Sequence, residues 1–371
     1  MDYKIFHQSV FDKWHIEDNS IQTIITSPPY WGLRKYNIPD IIIGGDINCE
    51  HEFVEQDYIR GNDKTAGEKQ KSNLGSVNRD SPVKNAFCIH CNAWKGQYGL
   101  EPSYKDYIEH TVLWCKEVFR VLKDNGIFFL NIGDSYQTQS GVNAGKNPEK
   151  YANLSMNAIT NHIKQQDLPN KCRMLIPERI AIALIDEGWT LRNNIIWYKS
   201  NSMPESCKDR FSKKWESIFM FVKNEKYYFD LDAIRELIKK SSIDRIEAFK
   251  RNNEKFDKNK HKYGENAQSG MEVLQNAQNG DWLKKGKNPG DIWQINTQPS
   301  SEKHYAMWPE KLVERMILCS TKENDIILDP FCGSATTLKV AIKNNRQALG
   351  IDLGYSDIQE RKLKNIQKNI I

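Results

Sequence analysis

A loop of small residues near the end of the chain has the pattern of a cofactor site. Residues 328–337, LDPFCGSATT, follow a short apolar run and lead into a helical pattern. Small side chains at such a turn let backbone N–H groups approach a ligand closely. Asp352 follows about twenty residues later, the spacing at which a carboxylate accepts hydrogen bonds from ribose hydroxyls. The loop and the acid together predict a cofactor that contains a nucleoside, and a plain strand-to-helix turn is the alternative.

The cofactor loop lacks the signatures of two other nucleotide sites. The sequence has neither the Gly-x-Gly-x-x-Gly pattern of dinucleotide-binding folds nor the Gly-Lys-Ser/Thr of a P-loop. Neither a dinucleotide nor a phosphate group is therefore the indicated ligand.

A second group of residues has the spacing of metal ligands. Cys49 and His51 form a Cys-x-His pair, and Cys88 and Cys91 form a Cys-x-x-Cys pair. Four such ligands suit tetrahedral zinc and leave no open position for catalysis. The surrounding segment is rich in glycine and charge, with too few apolar residues for its own core, so we expect structural zinc to hold it together. His90 is an alternative ligand, and free cysteines in a loop are the alternative interpretation.

A stiff turn follows an apolar run near the start of the chain. The run Ile21–Ile25 leads into Ser27, Pro28, Pro29 and Tyr30. Two prolines fix φ at successive positions, so the carbonyl groups of this turn are aimed in advance. Taken alone, the segment is also compatible with a polyproline-type loop or a ligand for a partner domain.

Strand and helix patterns alternate around these motifs. Buried strands are predicted within residues 21–30, Gly126–Tyr136, Asn193–Asn201 and Asn324–Ser334, and shorter ones at Tyr3–Phe6, Ser217–Lys223 and Gln347–Leu353. Helices are predicted at Tyr104–Gly126, Pro177–Gly188, Pro309–Ser320 and Thr336–Asn345. The alternation predicts an α/β fold whose mostly parallel sheet is covered on both faces. Ligands bind at the carboxyl ends of the strands in such sheets.

Composition bounds the class of protein. The 371 residues are 39% hydrophobic and 27% charged, which favours one large domain with insertions, or two domains. The net charge of +5 permits an acidic partner such as nucleic acid. The chain starts without a secretion signal, and its apolar runs are too short to cross a bilayer. We therefore expect a cytoplasmic protein without membrane contact, whose eight cysteines stay reduced.

The two loop motifs together resemble the amino-methylating DNA methyltransferases that use S-adenosylmethionine. In that family a [DNS]-P-P-[YFW] motif holds the target base, and a D-P-F-x-G-x-G-T-T loop binds the cofactor. The base motif comes first in this chain and the cofactor loop near its end, the order of the β group. Nearly the whole chain is similar to bacterial and phage members, including GLEPSYKDYIEH, GWTLRNNIIWYKSNSMPESCKDR and WPEKLVERMI. The resemblance implies the Rossmann-like fold of S-adenosylmethionine-dependent methyltransferases, with insertions.

The resemblance also assigns roles to residues of the stiff turn. It implies that the Ser27 hydroxyl and the Pro28 carbonyl accept hydrogen bonds from the target amine, which draws the amine out of conjugation with the ring. Pro29 stiffens the turn, and Tyr30 stacks on the flipped base. Catalysis then rests on alignment of amine and methyl group. The implied cofactor-binding residues are Asp329, Pro330, Phe331, Gly333, Ser334, Thr336, Asp352 and, within WPEKLVERMI, Lys311.

Two positions depart from the family pattern. Ala335 replaces the second loop glycine, although alanine disfavours a positive φ angle. Ser9 stands where the family has an acid in the first strand-to-helix turn. Both departures bear on the cofactor site rather than on the base motif.

The first residue of the base motif bears on the choice of base. Family members with serine there mostly resemble cytosine-N4 enzymes, and those with aspartate mostly resemble adenine-N6 enzymes. Ser27 therefore favours cytosine N4, with adenine N6 as the alternative. Methylation of cytosine C5 needs a cysteine nucleophile, usually within Pro-Cys, and the chain has no Pro-Cys pair.

Two segments are candidates for contact with DNA. Asn201–Ser217 follows a strand and contains Lys208, Arg210, Lys213 and Lys214, which suit phosphate contacts. The Lys/Asn-rich tract Lys239–Asn288 is either part of the target-recognition region or a solvated insertion. The predicted regions are a catalytic part (1–43), a zinc insertion (44–100), a second catalytic part (101–238), a recognition or flexible insertion (239–290) and a cofactor-binding part (291–371).

The resemblance implies a site-specific DNA methyltransferase. The expected reaction transfers methyl from S-adenosylmethionine to cytosine N4 in double-stranded DNA, within or derived from a restriction-modification system. A cognate restriction endonuclease acting on the same site is then a possible partner. The first alternative is an adenine-N6 methyltransferase of the same fold. The second is a DNA-binding protein without turnover on a degenerate methyltransferase scaffold.

Overall fold

An eight-stranded sheet forms the centre of the fold. The computed structural model describes residues 3–33, 35–57, 84–137, 168–238, 240–241, 243–244, 285–297 and 308–367. Most of the tract 239–290 therefore lies outside the described residues. The strands of the central sheet are β1 (Tyr3–Phe6), β2 (Ile21–Thr26), β7 (Leu122–Ile132), β8 (Thr190–Tyr198), β9 (Trp215–Val222), β10 (Ile292–Gln294), β11 (Ile326–Asp329) and β12 (Gln347–Ile351).

The central sheet is mostly parallel, as the alternation of patterns predicts. Its strand order is β1-β12-β11-β2-β7-β9-β8-β10. Every neighbouring pair is parallel except the two pairs that β9 makes, with β7 and with β8. The carboxyl ends of β1, β2, β11 and β12 therefore meet along one edge of the sheet.

Helices cover both faces of the central sheet. They are α1 (Tyr104–Val121), α2 (Ile176–Asp186), α3 (Glu310–Ser320), α4 (Thr336–Lys343) and α5 (Ser356–Gln367). Helices α1 and α2 pack in one apolar cluster with Ile24 of β2, and α3, α4 and α5 pack in another with Ile25. Successive side chains of a strand point to opposite faces, so β2 is buried on both sides. No helix among the described residues is long and apolar enough to cross a membrane.

The first helix ends earlier than the sequence pattern indicates. The predicted stop at Asn125 and Gly126 is wrong, because α1 ends at Val121 and β7 begins at Leu122. Gly126 lies inside β7, where an added Cβ would come within 2.8 Å of the Gln22 carbonyl oxygen. This glycine therefore permits close approach of β2 to β7 and does not terminate a helix.

A second, smaller sheet lies between β2 and α1 in the chain. Its antiparallel strands are β3 (Ile41–Ile43), β4 (Phe53–Asp57), β5 (Lys84–Cys88) and β6 (Trp94–Gly96), in the order β3-β6-β5-β4. Ile43 and Trp94 of this sheet are buried in the same apolar cluster as α1. The insertion is thereby attached to the core that supports the base motif.

Candidate active site

One cavity joins the two motifs that the sequence separates. It has a volume of about 380 Å³ and opens at the carboxyl ends of the parallel strands. A volume of this size is typical of small-molecule sites. Its lining includes every predicted catalytic and cofactor-binding residue except one: Ser27, Pro28, Pro29, Tyr30, Asp329, Pro330, Phe331, Gly333, Ser334, Thr336 and Asp352.

The exception is Lys311. This residue is exposed on α3 and is not part of the cavity lining. Trp308, which precedes α3 in the same WPEKLVERMI segment, lines the cavity instead. The segment thus contributes its tryptophan to the cavity wall, and the cofactor role of Lys311 stays a prediction that this position outside the lining does not support.

Asp329 ties the base motif to the cofactor loop. Its Oδ1 accepts a hydrogen bond from the Thr26 hydroxyl at 2.7 Å and one from the Phe331 amide at 3.1 Å. Its Oδ2 accepts a hydrogen bond from the Thr337 hydroxyl at 2.6 Å. Burial raises the pKa of Asp329 to about 6, although these donors oppose the shift. The carboxyl group thus fixes the ends of β2 and β11 and the start of α4 relative to one another.

Asp352 holds the glycine loop at the other strand end. Its Oδ2 accepts a hydrogen bond from the Gly333 amide at 2.7 Å, and its Oδ1 accepts one from the Gly354 amide at 2.9 Å. Burial raises the pKa of this carboxyl group, while the two amides oppose the shift. Each oxygen keeps further lone pairs with which hydroxyl groups of a ligand in the cavity can bond.

The loop adopts its turn despite the missing second glycine. Ala335 has φ 63° and ψ 32°, a left-handed conformation that costs a non-glycine residue about 1–2 kcal/mol. Its methyl group is fully buried in the cluster that contains α4, which offsets part of this cost.

Ser9 is the other position that departs from the family pattern. It lines the cavity after the end of β1, and its amide donates to Asp12 Oδ2 at 2.9 Å.

Ser27 and Tyr30 belong to one hydrogen-bond network in the cavity wall. The Ser27 hydroxyl lies 3.2 Å from the Tyr30 oxygen and 3.3 Å from Asn131 Oδ1. The Tyr30 hydroxyl lies 2.8 Å from Asn131 Oδ1 and 3.0 Å from Glu216 Oε2. Burial and the Glu216 charge raise the pKa of Tyr30 well above its ordinary value, so the phenol is a neutral donor. The Ser27 hydroxyl can donate into this network and keep its lone pairs for a ligand.

Glu216 is held in this network by a lysine. Lys199 Nζ lies 2.5 Å from Glu216 Oε1, and both side chains are largely buried in the cavity wall. The Lys199 ammonium also lies 3.8 Å from the centre of the Trp197 ring. Burial lowers the pKa of Lys199, and the Glu216 charge opposes that shift. The pair places one donor and one acceptor beside the serine of the base motif.

The main chain of the stiff turn is clamped from one side. The Tyr107 hydroxyl donates to the Pro29 carbonyl at 2.8 Å, and the Gly32 amide donates to the Gly99 carbonyl at 2.8 Å. An added Cβ at Gly99 would lie 3.0 Å from Pro29 Cβ, so the two segments are in close contact. In the described part of the chain no donor reaches the Pro28 carbonyl. The Pro28 carbonyl is therefore held in place by the turn and can accept a hydrogen bond from a ligand.

The Tyr30 ring rests on a glycine. An added Cβ at Gly133 would lie 2.5 Å from Tyr30 Cε2 and 2.6 Å from Cδ2. Gly133 follows directly after β7, so the end of that strand supports the ring. The ring and its hydroxyl are thus both fixed before any ligand arrives.

Sequence reasoning missed much of the cavity wall, and five of the missed residues bear on its chemistry. They are Asn131, Trp197, Lys199, Glu216 and Trp308. Asn131 carries a detectable signal, because it is the single polar residue in an apolar run and is fully buried, with its Nδ2 donating to the Ser217 carbonyl at 2.9 Å. The lysine and the glutamate carry no such signal, since only the pairing of β8 with β9 brings them together.

The predicted metal ligands form one cluster. The ligand atoms of Cys49, His51, Cys88 and Cys91 all lie within 4.8 Å of one another. The Cys49 and Cys88 sulfurs are 3.7 Å apart, and the Cys91 sulfur is 3.4 Å from His51 Nδ1. Two sulfurs at Zn–S bond lengths of about 2.3 Å in a tetrahedral site lie about 3.8 Å apart, so the spacing fits zinc. His90, the alternative ligand, instead lies 3.4 Å from Glu52.

The basic loop of the predicted DNA interface uses two of its cations internally. Arg210 lies 2.5 Å from Glu205 Oε2, and Lys213 Nζ donates to the Asp134 carbonyl at 2.7 Å. These two side chains brace the loop and are not free for phosphates. The exposed cations of the loop that have no ion pair within the described ranges are Lys208 and Lys214.

Comparison with known proteins places this geometry in a family. A family model described as DNA methylase, for N6 and N4 methyltransferases, matches residues 21–360. The chain is 30% identical over 358 residues to the Type II methyltransferase M.Cfr9I of Citrobacter freundii, covering 96% of this chain and 85% of that protein. It is 29% identical over 361 residues to M.XycI of Xanthomonas campestris pv. cyanopsidis, with coverage of 96% and 85%.

A solved structure shows the same fold. The PvuII DNA methyltransferase (cytosine-N4-specific) aligns with a TM-score of 0.51 at 16% identity, over 99% of this chain and 92% of that chain. The predicted α/β methyltransferase fold is thereby confirmed. The chain belongs to the N6/N4 family of DNA methylases, the S-adenosylmethionine-dependent amino-methyltransferases.

Proposed function

We propose that this protein transfers the methyl group of S-adenosylmethionine to the exocyclic N4 amine of cytosine in double-stranded DNA. The observation that carries this proposal is the single cavity that the base motif and the glycine loop both line. The Thr26–Asp329 hydrogen bond joins the two motifs across 303 residues of sequence. An amine bound at one end would therefore meet a methyl donor bound at the other.

The glycine-loop end suits the cofactor. Half-buried Asp352 offers carboxylate oxygens for ribose hydroxyls, and Gly333 and Ser334 also belong to the lining. Phe331 and Pro330 supply apolar surface at the same end. S-adenosylmethionine supplies an electrophilic methyl group on a sulfonium. The remaining task of the protein is to bring an amine into line with it.

The base-motif end suits an exocyclic amine. The lone pair of such an amine is delocalised into the ring, and acceptors on its two hydrogens localise it. The open Pro28 carbonyl and the Ser27 lone pairs are two such acceptors, fixed by the stiff turn. The methylated amine must then lose a proton. The hydrogen bonds from Ser27 through Tyr30 end on the Glu216 carboxylate, which can accept it.

The choice of cytosine over adenine rests on Ser27. Adenine N6 is the alternative, because the same acceptors fit either amine. DNA from cells that express the protein in a host without its own DNA methylation should be digested and its nucleosides separated by mass spectrometry. N4-methylcytosine is the expected product. N6-methyladenine would overturn the choice of base and keep the amine chemistry.

A DNA-binding scaffold without turnover is the second candidate, favoured by Ser9 and Ala335. A binding-only protein has no reason to retain the methyl donor. Calorimetric titration of the purified protein with S-adenosylmethionine separates the two functions. Binding is expected, and its absence would favour the scaffold.

The Type II relatives support a further proposal, that a restriction endonuclease acts on the same DNA site.

Substitution of Gly133 by alanine is expected to impair methyl transfer without loss of the cofactor. The new Cβ would overlap the Tyr30 ring at 2.5 Å and displace it. A displacement of about 1 Å costs on the order of 100-fold in rate. Single-turnover methylation and calorimetric cofactor titration check this. A variant with the wild-type rate would contradict the fixed position of Tyr30.

We propose that Cys49, His51, Cys88 and Cys91 hold one structural zinc ion. The compact cluster supports this, as does Gly45, whose added Cβ would lie 2.7 Å from the Cys91 sulfur. The ion would tie β5 and the loop before β4 together in an insertion with little apolar core.

Substitution of Cys88 by serine is expected to remove the bound metal. Elemental analysis of the wild-type protein should give about one equivalent of zinc, and the variant should give close to none. Its thermal unfolding temperature should fall as well. Cys207→Ser is the matched control, since this half-buried cysteine lies outside the cluster. Wild-type protein that is stable without metal would refute the zinc site.

A further inference from the structure

The loop between β8 and β9 starts and ends at the cavity. It leaves the sheet after Tyr198 and returns at Trp215, and the adjacent residues Lys199 and Glu216 line the cavity wall. The Lys199 amide donates to the Lys214 carbonyl at 2.8 Å, which closes the base of the loop. Both ends of the loop therefore lie at the cavity that a base must enter.

Polar contacts brace the loop along its length. Arg210 pairs with Glu205 at 2.5 Å and also donates to the Phe211 carbonyl at 3.1 Å. Asp209 pairs with Lys171 at 2.6 Å. The Arg210 guanidinium also lies 4.1 Å from the centre of a tyrosine ring, that of Tyr136. The main chain at Phe211 is thus fixed by its neighbours.

This braced loop turns large apolar side chains outward. Phe211 is 97% exposed and Met203 is 87% exposed. A phenylalanine left in water forgoes the free energy that burial of its ring would contribute. The exposed cations Lys208 and Lys214 lie three residues on either side of Phe211. An apolar ring flanked by cations matches the chemistry of a DNA duplex, with its stacked bases between two phosphate chains.

We propose that Phe211 is a wedge that enters the base stack of the duplex when the target base leaves it. The inference rests on the proposed function, since a base must leave the duplex to reach the cavity. Extrusion of a base costs the free energy of its lost pairing and stacking. Phe211 offsets part of that cost by filling the vacated space, while Lys208 and Lys214 contact the adjacent phosphates.

The test compares two duplexes that differ only opposite the target base. The recognition site is first located by sequencing the methylated DNA of an expressing host. One synthetic duplex then carries the normal partner base, and the other carries an abasic site. Single-turnover methylation is measured at saturating protein and S-adenosylmethionine. An unpaired target base costs less to extrude. Loss of the wedge in Phe211→Ala should therefore lower the methylation rate less on the abasic duplex than on the paired one.

Phe211→Ala is expected to lower the rate about 10- to 100-fold on the paired duplex and less than about threefold on the abasic one. Phe211→Trp should restore most of the loss. The control Phe229→Ala removes a partly exposed phenylalanine from another loop and should match the wild type. Equal defects on both duplexes, or none, would overturn the wedge. Wild-type protein that methylates no DNA would instead refute the proposed function.

Discussion

Substitution of Ser27 by alanine is expected to lower the single-turnover methylation rate about 100-fold, because one of two fixed acceptors on the amine is lost. The dissociation constant of S-adenosylmethionine should stay within about twofold of wild type, since the hydroxyl lies at the base-motif end of the cavity. Single-turnover assays with saturating DNA and cofactor give the rate. Calorimetric titration gives the dissociation constant.

The control for this substitution is Ser20→Ala. Ser20 precedes β2, at the end of that strand away from Ser27, and its hydroxyl, which donates to the Glu17 carbonyl at 2.7 Å, is not part of the cavity lining. That variant should keep the wild-type rate. A Ser27→Ala protein with full turnover would remove the serine from the mechanism. A protein that lost cofactor binding and turnover together would point to a wider collapse of the site.

Substitution of Asp352 by alanine is expected to weaken cofactor binding about 10- to 100-fold, the equivalent of one or two hydrogen bonds to a charged group. The loss has two sources in the structure. The carboxylate offers acceptors to the cavity, and it fixes the Gly333 and Gly354 amides. Turnover at saturating cofactor should fall far less than affinity, because Asp352 holds the glycine loop and not the base motif.

Asp352→Asn separates the two sources of that loss. Asparagine keeps one oxygen acceptor for a backbone amide and loses the charge, so its dissociation constant should lie between those of wild type and Asp352→Ala. Calorimetric titration of all three proteins gives the order. An unaltered constant in Asp352→Ala would refute the assignment of Asp352 to the cofactor.

Much of the fold follows from local patterns in the sequence. Short β-branched runs such as Ile21–Ile25 and Ile326–Leu328 form strands wherever they occur in an alternating order. Their polar residues then fall at one edge of the sheet, since parallel strands end together. For this reason the amino-acid sequence alone predicts that Ser27 and Asp352 lie at one site, while the region boundaries and the roles of these residues stay predictions.

The parts that the sequence does not predict depend on contacts between distant segments. Lys199 meets Glu216 only through the antiparallel pairing of β8 and β9. Gly126 has the local appearance of a helix stop, but its place is decided by the approach of Gln22 from β2. The assignment of Lys311 rests on a resemblance of its whole segment, in which Trp308 faces the cavity. Register and side-chain direction at such positions are set by tertiary packing.

The most direct measurement follows the methyl group itself. Purified protein would be incubated with unmodified DNA and with S-adenosylmethionine that carries a deuterated methyl group. The DNA would then be digested, and its nucleosides would be analysed by mass spectrometry. We predict a deuterated methyl group on the exocyclic amine of cytosine, absent when Ser27→Ala replaces the wild type at the same short reaction time. Unlabelled nucleosides from every DNA tested, with a protein that still binds DNA, would contradict the account.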